Sequence, residues 1–291
     1  MLFTIRDIEN LSGIKAHTIR IWEQRYSFLK PKRSDTNIRY YTNDELRIIL
    51  NIALLNKYGY KISHINNMTR EAMYENVLSL TNAEARASVT VNQLLQCMVE
   101  LDVELFETIL NNSINTSSIE KTILQIIFPF LDKVGILWLT NHINPAQERL
   151  VSNIIRQKII VGIDSLPTKK TSSVKVCLFL PEGEYHELSL LFVAFLLKKK
   201  GIPFIYLGAN IPFNDLKTIT SVKKPNYLYT HVTTSGPNFN FDTFLSILNK
   251  EFRDYPAIIS GRLIESYSKK IPSKIIFKKS LSEVKNFIQS L

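Results

Sequence analysis

Two small sets of side chains in this chain of 291 residues have the chemistry to recognise or hold something. Near the start, Thr18 and Arg20 stand close to the beginning of a helical stretch, Lys15 to Tyr26. A guanidinium is a planar fork that fits a guanine edge or phosphate oxygens. Far downstream, His186 falls in a loop after an apolar strand-like run, with Glu184 two residues before it. A histidine in such a loop is well placed to act as a ligand. Taken singly, each residue also has a plainer use. Arg20 serves equally as a surface charge, and His186 as a loop or N-cap residue. The elements around them have to decide.

Residues from Phe3 to about Met68 read as short helices joined by tight turns. Thr4 with Asp7, and Thr42 with Glu45, have the hydroxyl-then-acid spacing of a capping box. The first box starts a helix that runs through Leu11 and breaks at Ser12-Gly13. The second starts a helix whose Leu46, Ile49, Leu50, Ala53 and Leu54 recur at three and four. Helix, Gly13 turn and second helix make a helix-turn-helix pattern, whose second helix would lie in a major groove. Ile19 and Trp22 would then pack inward. Lys30 to Arg33 and Arg39 to Tyr41 surround a polar loop that reads as a small β wing.

Residues 78–165 carry four helical patterns: Val91–Leu101, Val103–Leu110, Ser118–Trp138 and Pro145–Asp164. On the last, Leu150, Val151, Ile154, Ile155 and Ile159 form one stripe. A bundle buries such stripes most simply. Pro129 should kink or split the third helix, because it removes a donor and clashes with the preceding turn. After the linker Pro167 to Ser173, short apolar runs alternate with helical stretches. The runs are Val174–Leu180, Pro203–Leu207, Asn226–Val232, Ala257–Ile259 and Lys274–Phe277, with helices over Glu187–Lys200 and Leu281–Ile288. That alternation predicts a parallel, doubly wound sheet, with ligands beyond the carboxyl ends of its strands.

An apolar content of 45 % with 21 % charged residues excludes a disordered chain. Cys97 and Cys177 are too few for a disulfide framework or a zinc site. The first residues lack an apolar core of signal-peptide length, and runs such as Leu190–Leu197 are shorter than a membrane span. A reduced, cytoplasmic protein without a membrane partner is expected. Of the net charge of +10, residues 1–70 hold +6, residues 71–165 hold −5 and residues 166–291 hold +9. A basic N-terminal block fits a nucleic-acid surface as well as a solvated face.

The complete N-terminal string closes that choice. Thr4-Ile5, Leu11-Ser12-Gly13-Ile14, Thr18-Ile19-Arg20-Ile21-Trp22-Glu23-Gln24-Arg25-Tyr26, Leu29-Lys30-Pro31 and Arg39-Tyr40-Tyr41 closely resemble, in order and spacing, the DNA-binding domain of the MerR family of transcriptional regulators. The resemblance implies a winged helix-turn-helix in which Arg39 and Tyr40 of the wing hold the phosphate backbone. Thr18, Arg20 and His17 would read bases, with Lys15 and Arg33 completing the DNA surface.

A helical bundle followed by a doubly wound sheet is similar to the cobalamin-binding module shared by methionine synthase and the light-responsive carotenoid repressors of the CarH/LitR group. In that family an acid, any residue, a His, two residues and a Gly follow the first strand, and the His ligates cobalt. Here Glu184 and His186 fill the acid and His places, and Ser189 replaces the Gly. The acid would orient the ring, as carboxylates commonly do for metal-bound histidine. The family's Ser-any-Leu element is His231-Val232-Thr233, and its Gly-Gly pair is Ser260-Gly261. Added side chains at these places would narrow the slot for the nucleotide tail. Trp138, then nine residues, then Glu148-Arg149 parallels the light-responsive pattern of Trp and Glu-His. There the Trp covers the upper face of cobalamin. Arg149 has no lone pair for cobalt. No stable bis-histidine photoproduct is therefore expected, unless His142 substitutes.

The reading is a multidomain chain of α and α/β class: a winged helix-turn-helix (1–72), a four-helix bundle (78–165) and a Rossmann-like parallel sheet (172–291). It implies a DNA-binding transcriptional regulator, not an enzyme, forming a homo-oligomer (dimer or tetramer) on a promoter palindrome, with RNA polymerase as a further partner. The implied cofactor is cobalamin, in its adenosyl or methyl form, bound by Trp138, Glu148, Glu184, His186, Ser189, Thr233, Ser260 and Gly261, with His186 as the cobalt ligand. The alternatives are a ligand-free regulator whose C-terminal module is an oligomerisation scaffold, and a corrinoid-carrying methyltransferase subunit.

Overall fold

Thr4 and Asp7 open the first helix reciprocally. The Thr4 N–H donates to Asp7 Oδ2 at 2.7 Å, and the Asp7 N–H to Thr4 Oγ1 at 3.4 Å. The computed structural model describes residues 2–33, 35, 37–140, 143–233 and 239–291. His142 lies outside them. The chain divides into two units, Met1–Ile155 and Arg156–Leu291.

In the first unit, β1 (Leu2–Phe3) leads into α1 (Ile5–Ser12), and Gly13 at φ 75° ends it in the left-handed conformation that favours glycine. The second helix α2 (Ala16–Arg25) follows, with Ile19 and Trp22 buried as expected. Strands β2 (Lys32–Arg33) and β3 (Arg39–Thr42) make the expected wing. β1 pairs with the other edge of β3, an addition that a run of two residues could not announce. The Thr42–Glu45 capping box opens α3 (Asn43–Lys57), and α4 (Ile62–Asn66) and α5 (Arg70–Leu78) follow. Helices α6 (Ala83–Glu100), α7 (Val103–Thr116), α8 (Ile119–Thr122), α9 (Phe128–Leu139) and α10 (Pro145–Asp164) supply the helical block. α6 begins at Ala83 and not at Val91, because Asn82 caps it through the Glu84 N–H at 2.8 Å. Trp22, Ile52, Leu55, Ile65, Val77 and Val89 share one core, so the winged segment and α6 bury apolar surface together.

Pro129 does not break its helix. Residues Ile123–Ile127 form a π-helical turn between α8 and α9, in which the Phe128 N–H reaches the Ile123 carbonyl. The wider turn takes up the backbone where Pro129 can donate nothing. One sequence expectation needs correction here. The stretch Ile119–Leu139 is long and apolar enough, by length and composition, to cross a membrane. Gln125, Asp132 and Lys133 interrupt it, which hid it from a search for unbroken runs. Ile123, Ile127, Phe130 and Leu137 are fully buried, so one face of the stretch packs into the helical block, and 39 % of its most apolar segment is buried.

The second unit holds β4 (Val176–Pro181), α11 (Leu188–Lys200), β5 (Phe204–Ile211), α12 (Phe213–Lys223), β6 (Tyr227–His231), α13 (Phe241–Glu251), β7 (Ala257–Ser260), β8 (Ile275–Lys278) and α14 (Leu281–Ser290). All strand pairs are parallel, in the order β5-β4-β6-β7-β8. The chain leaves β4 to one side for β5 and returns to the other side for β6. The crevice beyond the carboxyl ends of β4 and β6 is therefore the topological switch point, where doubly wound sheets bind ligands. Cys177, Phe179, Leu228, Ile259, Phe244 and Phe252 fill one face of the sheet.

The excess charge of this unit has a place in the fold. The segments that enter the five strands (166–175, 196–201, 222–226, 250–256 and 272–274) hold eleven Lys and Arg against Glu251 and Asp254. Several of these cations sit in the last turns of α11, α12 and α13, where they meet the negative ends of the helix dipoles. The ligand edge lies at the opposite ends of the strands.

Gly261 follows β7 at φ 108°, and a Cβ there would lie 2.4 Å from the Val232 carbonyl oxygen and 2.7 Å from the Val232 nitrogen. Gly261→Ala is expected to cost about 2–4 kcal/mol, from backbone strain together with backbone overlap. Urea unfolding followed by circular dichroism measures it, and a loss below about 1 kcal/mol would contradict the geometry.

Candidate functional site

Lys15, just before α2, and His17 and Arg20 on that helix are exposed, with Thr18 half-buried. Lys15 precedes the helix and provides no side-chain cap. Glu9 of α1 does that work. It accepts the Ala16 N–H at 3.2 Å and pairs with Lys15 Nζ at 3.2 Å. The Lys15 contact, above all, holds the Glu9 carboxyl below its ordinary range. Thr18 Oγ1 lies 3.3 Å from His17 Nε2.

The wing is joined to this helix through Glu23, whose side chain is almost buried. Arg39 Nε donates to Glu23 Oε2 at 2.9 Å, and the Tyr41 hydroxyl donates to Glu23 Oε1. Burial first, then Glu23, pushes the Tyr41 hydroxyl far up, so it stays a donor. Arg33 Nη1 bonds Asn37 Oδ1 at 2.6 Å within the wing, and Tyr40 is half-buried on β3 opposite Lys32. The expected DNA residues thus share one helix and one wing, and Lys15, Arg33 and Arg39 also brace that assembly. Glu9 and Glu23 were missed by sequence reasoning, since each works on a distant partner.

At the switch point, Glu184 is the centre. Its Oε1 accepts the N–H groups of Tyr185 and His186 at 3.0 Å each and bonds His186 Nδ1 at 2.6 Å. Its Oε2 accepts the Thr233 N–H at 2.8 Å from the loop after β6. The carboxylate can only accept, so Nδ1 carries a proton, and in the neutral ring Nε2 keeps the lone pair. The imidazole is 57 % exposed while the Glu184 side chain is 1 % exposed. A fixed tautomer on an accessible ring is the arrangement a metal ligand needs.

The expected neighbours fall on the same edge. Ser260 Oγ lies 2.7 Å from the Tyr229 hydroxyl and 2.8 Å from His231 Nδ1, inside the wall between β6 and β7. Burial pushes the His231 ring down to about 4, so it is neutral near pH 7. Ser189 is half-buried in the first turn of α11. Beside His186, Glu187 pairs with Arg156 Nε and accepts the Tyr206 hydroxyl at 3.1 Å. That trio had no local signal in the sequence.

In the first unit, Trp138 near the end of α9 is 47 % exposed and its neighbour Leu139 73 %. Trp138 is therefore not a core aromatic. Glu148 Oε1 accepts the Ser152 hydroxyl at 2.6 Å on α10, and Arg149 is exposed. Among the described residues no group of three or more His, Cys, Asp or Glu gathers to hold a bare metal ion. A single fixed histidine suits a metal that arrives inside its own macrocycle.

Family comparison agrees with this geometry. Residues 3–72 match the MerR HTH family regulatory proteins, and residues 90–161 match the B12 binding domain. The chain is thus built as a MerR-type DNA-binding regulator with a B12-binding sensor module. It is 24 % identical over 273 residues to the HTH-type transcriptional repressor CarH of Myxococcus xanthus, covering 91 % of this chain and 90 % of that one. It is 25 % identical over 267 residues to the repressor CarA of the same organism, covering 90 % of this chain and 87 % of CarA. In fold it is similar to the Methanosarcina barkeri monomethylamine corrinoid protein, with a TM-score of 0.54 at 13 % identity, over 68 % of this chain and 97 % of that one.

The neutral His231 ring makes a pH prediction. The ordinary histidine value is 6.5 and the folded value about 4, so the unfolded chain takes up its proton first on acidification. The contribution is fully present above about 6.5 and is lost as the pH falls towards 4. His231→Gln should flatten the fall of unfolding free energy with pH in that window. Equal slopes in the two proteins would refute it.

Proposed function

We propose that the protein represses transcription from a palindromic promoter site, which it binds as a dimer or a higher homo-oligomer, and that a corrinoid bound in its sheet domain sets its oligomeric state and operator affinity. The observation that carries this reading is the union, in one chain, of a braced recognition helix with an imidazole tied to a buried carboxylate at a sheet switch point. Two-fold symmetry of the protein calls for two half-sites in the DNA. Arg20, Thr18 and His17 read bases. Arg39, Tyr40, Arg33 and Lys15 hold the backbone and thereby set register. Such a regulator works in the cytoplasm, where promoter DNA and RNA polymerase meet it.

The side chains at the switch point suit cobalamin. His186 Nε2 would be the nitrogen for cobalt, Glu184 would hold the ring, and Trp138 and Glu148 would be the helical block's contribution. Ser189, Thr233, Ser260 and Gly261 border the tail. A bound corrinoid would supply a cobalt–carbon bond that light can cleave. What this chain would add is the orientation of the His186 imidazole and a wall whose His231 and Ser260 would make tail entry less favourable. Arg149 cannot ligate the opposite face, so illumination should leave oligomer and operator affinity nearly unchanged. A methyltransferase subunit is the weaker reading, because the winged domain would have no part in that chemistry.

For DNA, Arg20→Ala should lose about 1–3 kcal/mol of operator binding and relax preference at one position of each half-site, which a base-by-base competition assay reads. Unchanged affinity would remove Arg20 from the readout. For the corrinoid, protein incubated with adenosylcobalamin and desalted should retain a coloured ligand with histidine in place of the nucleotide base. His186→Ala should lose that spectrum. Should the wild type retain no corrinoid at high micromolar ligand, the scaffold reading replaces this one.

A further inference from the structure

Helix α1 ends on carbonyls that its own sequence is poorly equipped to satisfy. The Ser12 hydroxyl takes the Ile8 carbonyl at 2.6 Å and the Gly13 N–H takes that of Glu9 at 2.8 Å, but the last turn holds no basic residue. The carbonyl of Leu11 is met from far along the chain, by Lys133 Nζ of α9 at 2.6 Å. An ammonium at the negative end of a helix is a favourable, charge-assisted cap. Lys133 is half-buried, and that burial alone lowers its ammonium to about 8. Placing a lysine there has a desolvation cost, so this is not the ordinary state of a surface lysine.

Leu11 is the last residue but one before the turn into the recognition helix. From the same α1, Glu9 accepts the first N–H of α2 and holds Lys15. A contact made on α1 by the bundle is therefore passed to the helix that faces DNA. Five residues beyond Lys133 on α9 stands Trp138, an exposed aromatic.

We infer that Lys133 is a positioning residue for DNA recognition: by capping α1 from the bundle, it sets the pose of the recognition helix and makes α9 a determinant of operator affinity. This rests on the DNA-binding reading of the winged domain and not on the corrinoid.

The test uses the full chain and an operator fragment selected from a random double-stranded library with the wild-type protein. Lys133→Met keeps the stem and removes both donor and charge. It is expected to bind the operator about tenfold more weakly with the salt slope unchanged, because no phosphate contact is lost. Its melting temperature should fall by only a few degrees, since the Leu11 carbonyl loses its donor while a partly buried charge leaves the interior. Lys133→Arg, which retains a charged donor, should restore most of the affinity. Amide hydrogen exchange over Ser12–Thr18 without DNA should quicken in the Met variant. Affinity within twofold of wild type, or a loss that comes with a flatter salt slope, overturns the inference. If no operator is selected, the DNA reading fails, and the exchange measurement still decides: unchanged protection overturns the brace. If the Met variant does not fold, Lys133→Gln takes its place, and wild-type exchange and affinity in that variant overturn the inference.

Discussion

The functional edge of the sheet unit depends on one buried carboxylate, that of Glu184. A carboxylate is tolerated out of water only where donors replace its hydration. Among the described residues, the backbone of Tyr185, His186 and Thr233 and the ring of His186 supply them. Those donors come from the loops after β4 and β6, on the two sides of the switch point. Asn210 at the end of β5 extends the tie. Its N–H donates to the Glu184 carbonyl at 3.1 Å, and its Oδ1 accepts the Gly183 N–H at 2.9 Å. Satisfying one charge therefore ties two loops together and fixes the orientation of the imidazole, and Asn210 of β5 fastens the first of those loops through its backbone.

Glu23 plays the corresponding part in the winged domain. It is 8 % exposed and takes Arg39 and Tyr41 from a strand sixteen and eighteen residues further on. The wing and the recognition helix cannot move independently while that charge stays paired. Arg39 thus has two duties, since the guanidinium that anchors the wing inward also belongs to the surface expected to meet phosphate. Losing Arg39 disturbs geometry as well as charge, and its effect on binding is not that of a simple surface cation.

How much of this could be read from residues alone follows from the range of the forces. Both capping boxes, the Gly13 turn, the wing and the alternation of strands and helices were legible, because each is decided by neighbours within about five positions. Glu184 with His186 was legible for the same reason, being two residues apart. Illegible were partners chosen by the fold: Glu23 with Arg39, Glu187 with Arg156 and Tyr206, and Lys133 with Leu11. The π turn before Pro129 also escaped, since the proline announces a lost hydrogen bond and not how the backbone will absorb it. Trp138 shows a further limit, because helical periodicity gives the face of a residue and not whether another element covers it.

The departures from the cobalamin-binding pattern at His231 and Ser260 acquire a meaning in the folded chain. Tyr229, Ser260 and His231 form a continuous hydrogen-bonded line, with Tyr229 and Ser260 1 % and 3 % exposed. Removed from water, such links reinforce one another, and breaking one leaves a buried polar group at a cost of about 1–3 kcal/mol. Side chains held this way do not swing aside freely for a ligand tail. His186 stands outside that line, with its own partner and an accessible ring. On the proposed corrinoid reading, holding the metal and admitting the tail would be separate energetic problems in this sheet. The Glu184–His186 pair would meet the first within three residues, and the polar wall that β6 and β7 build together would set the second.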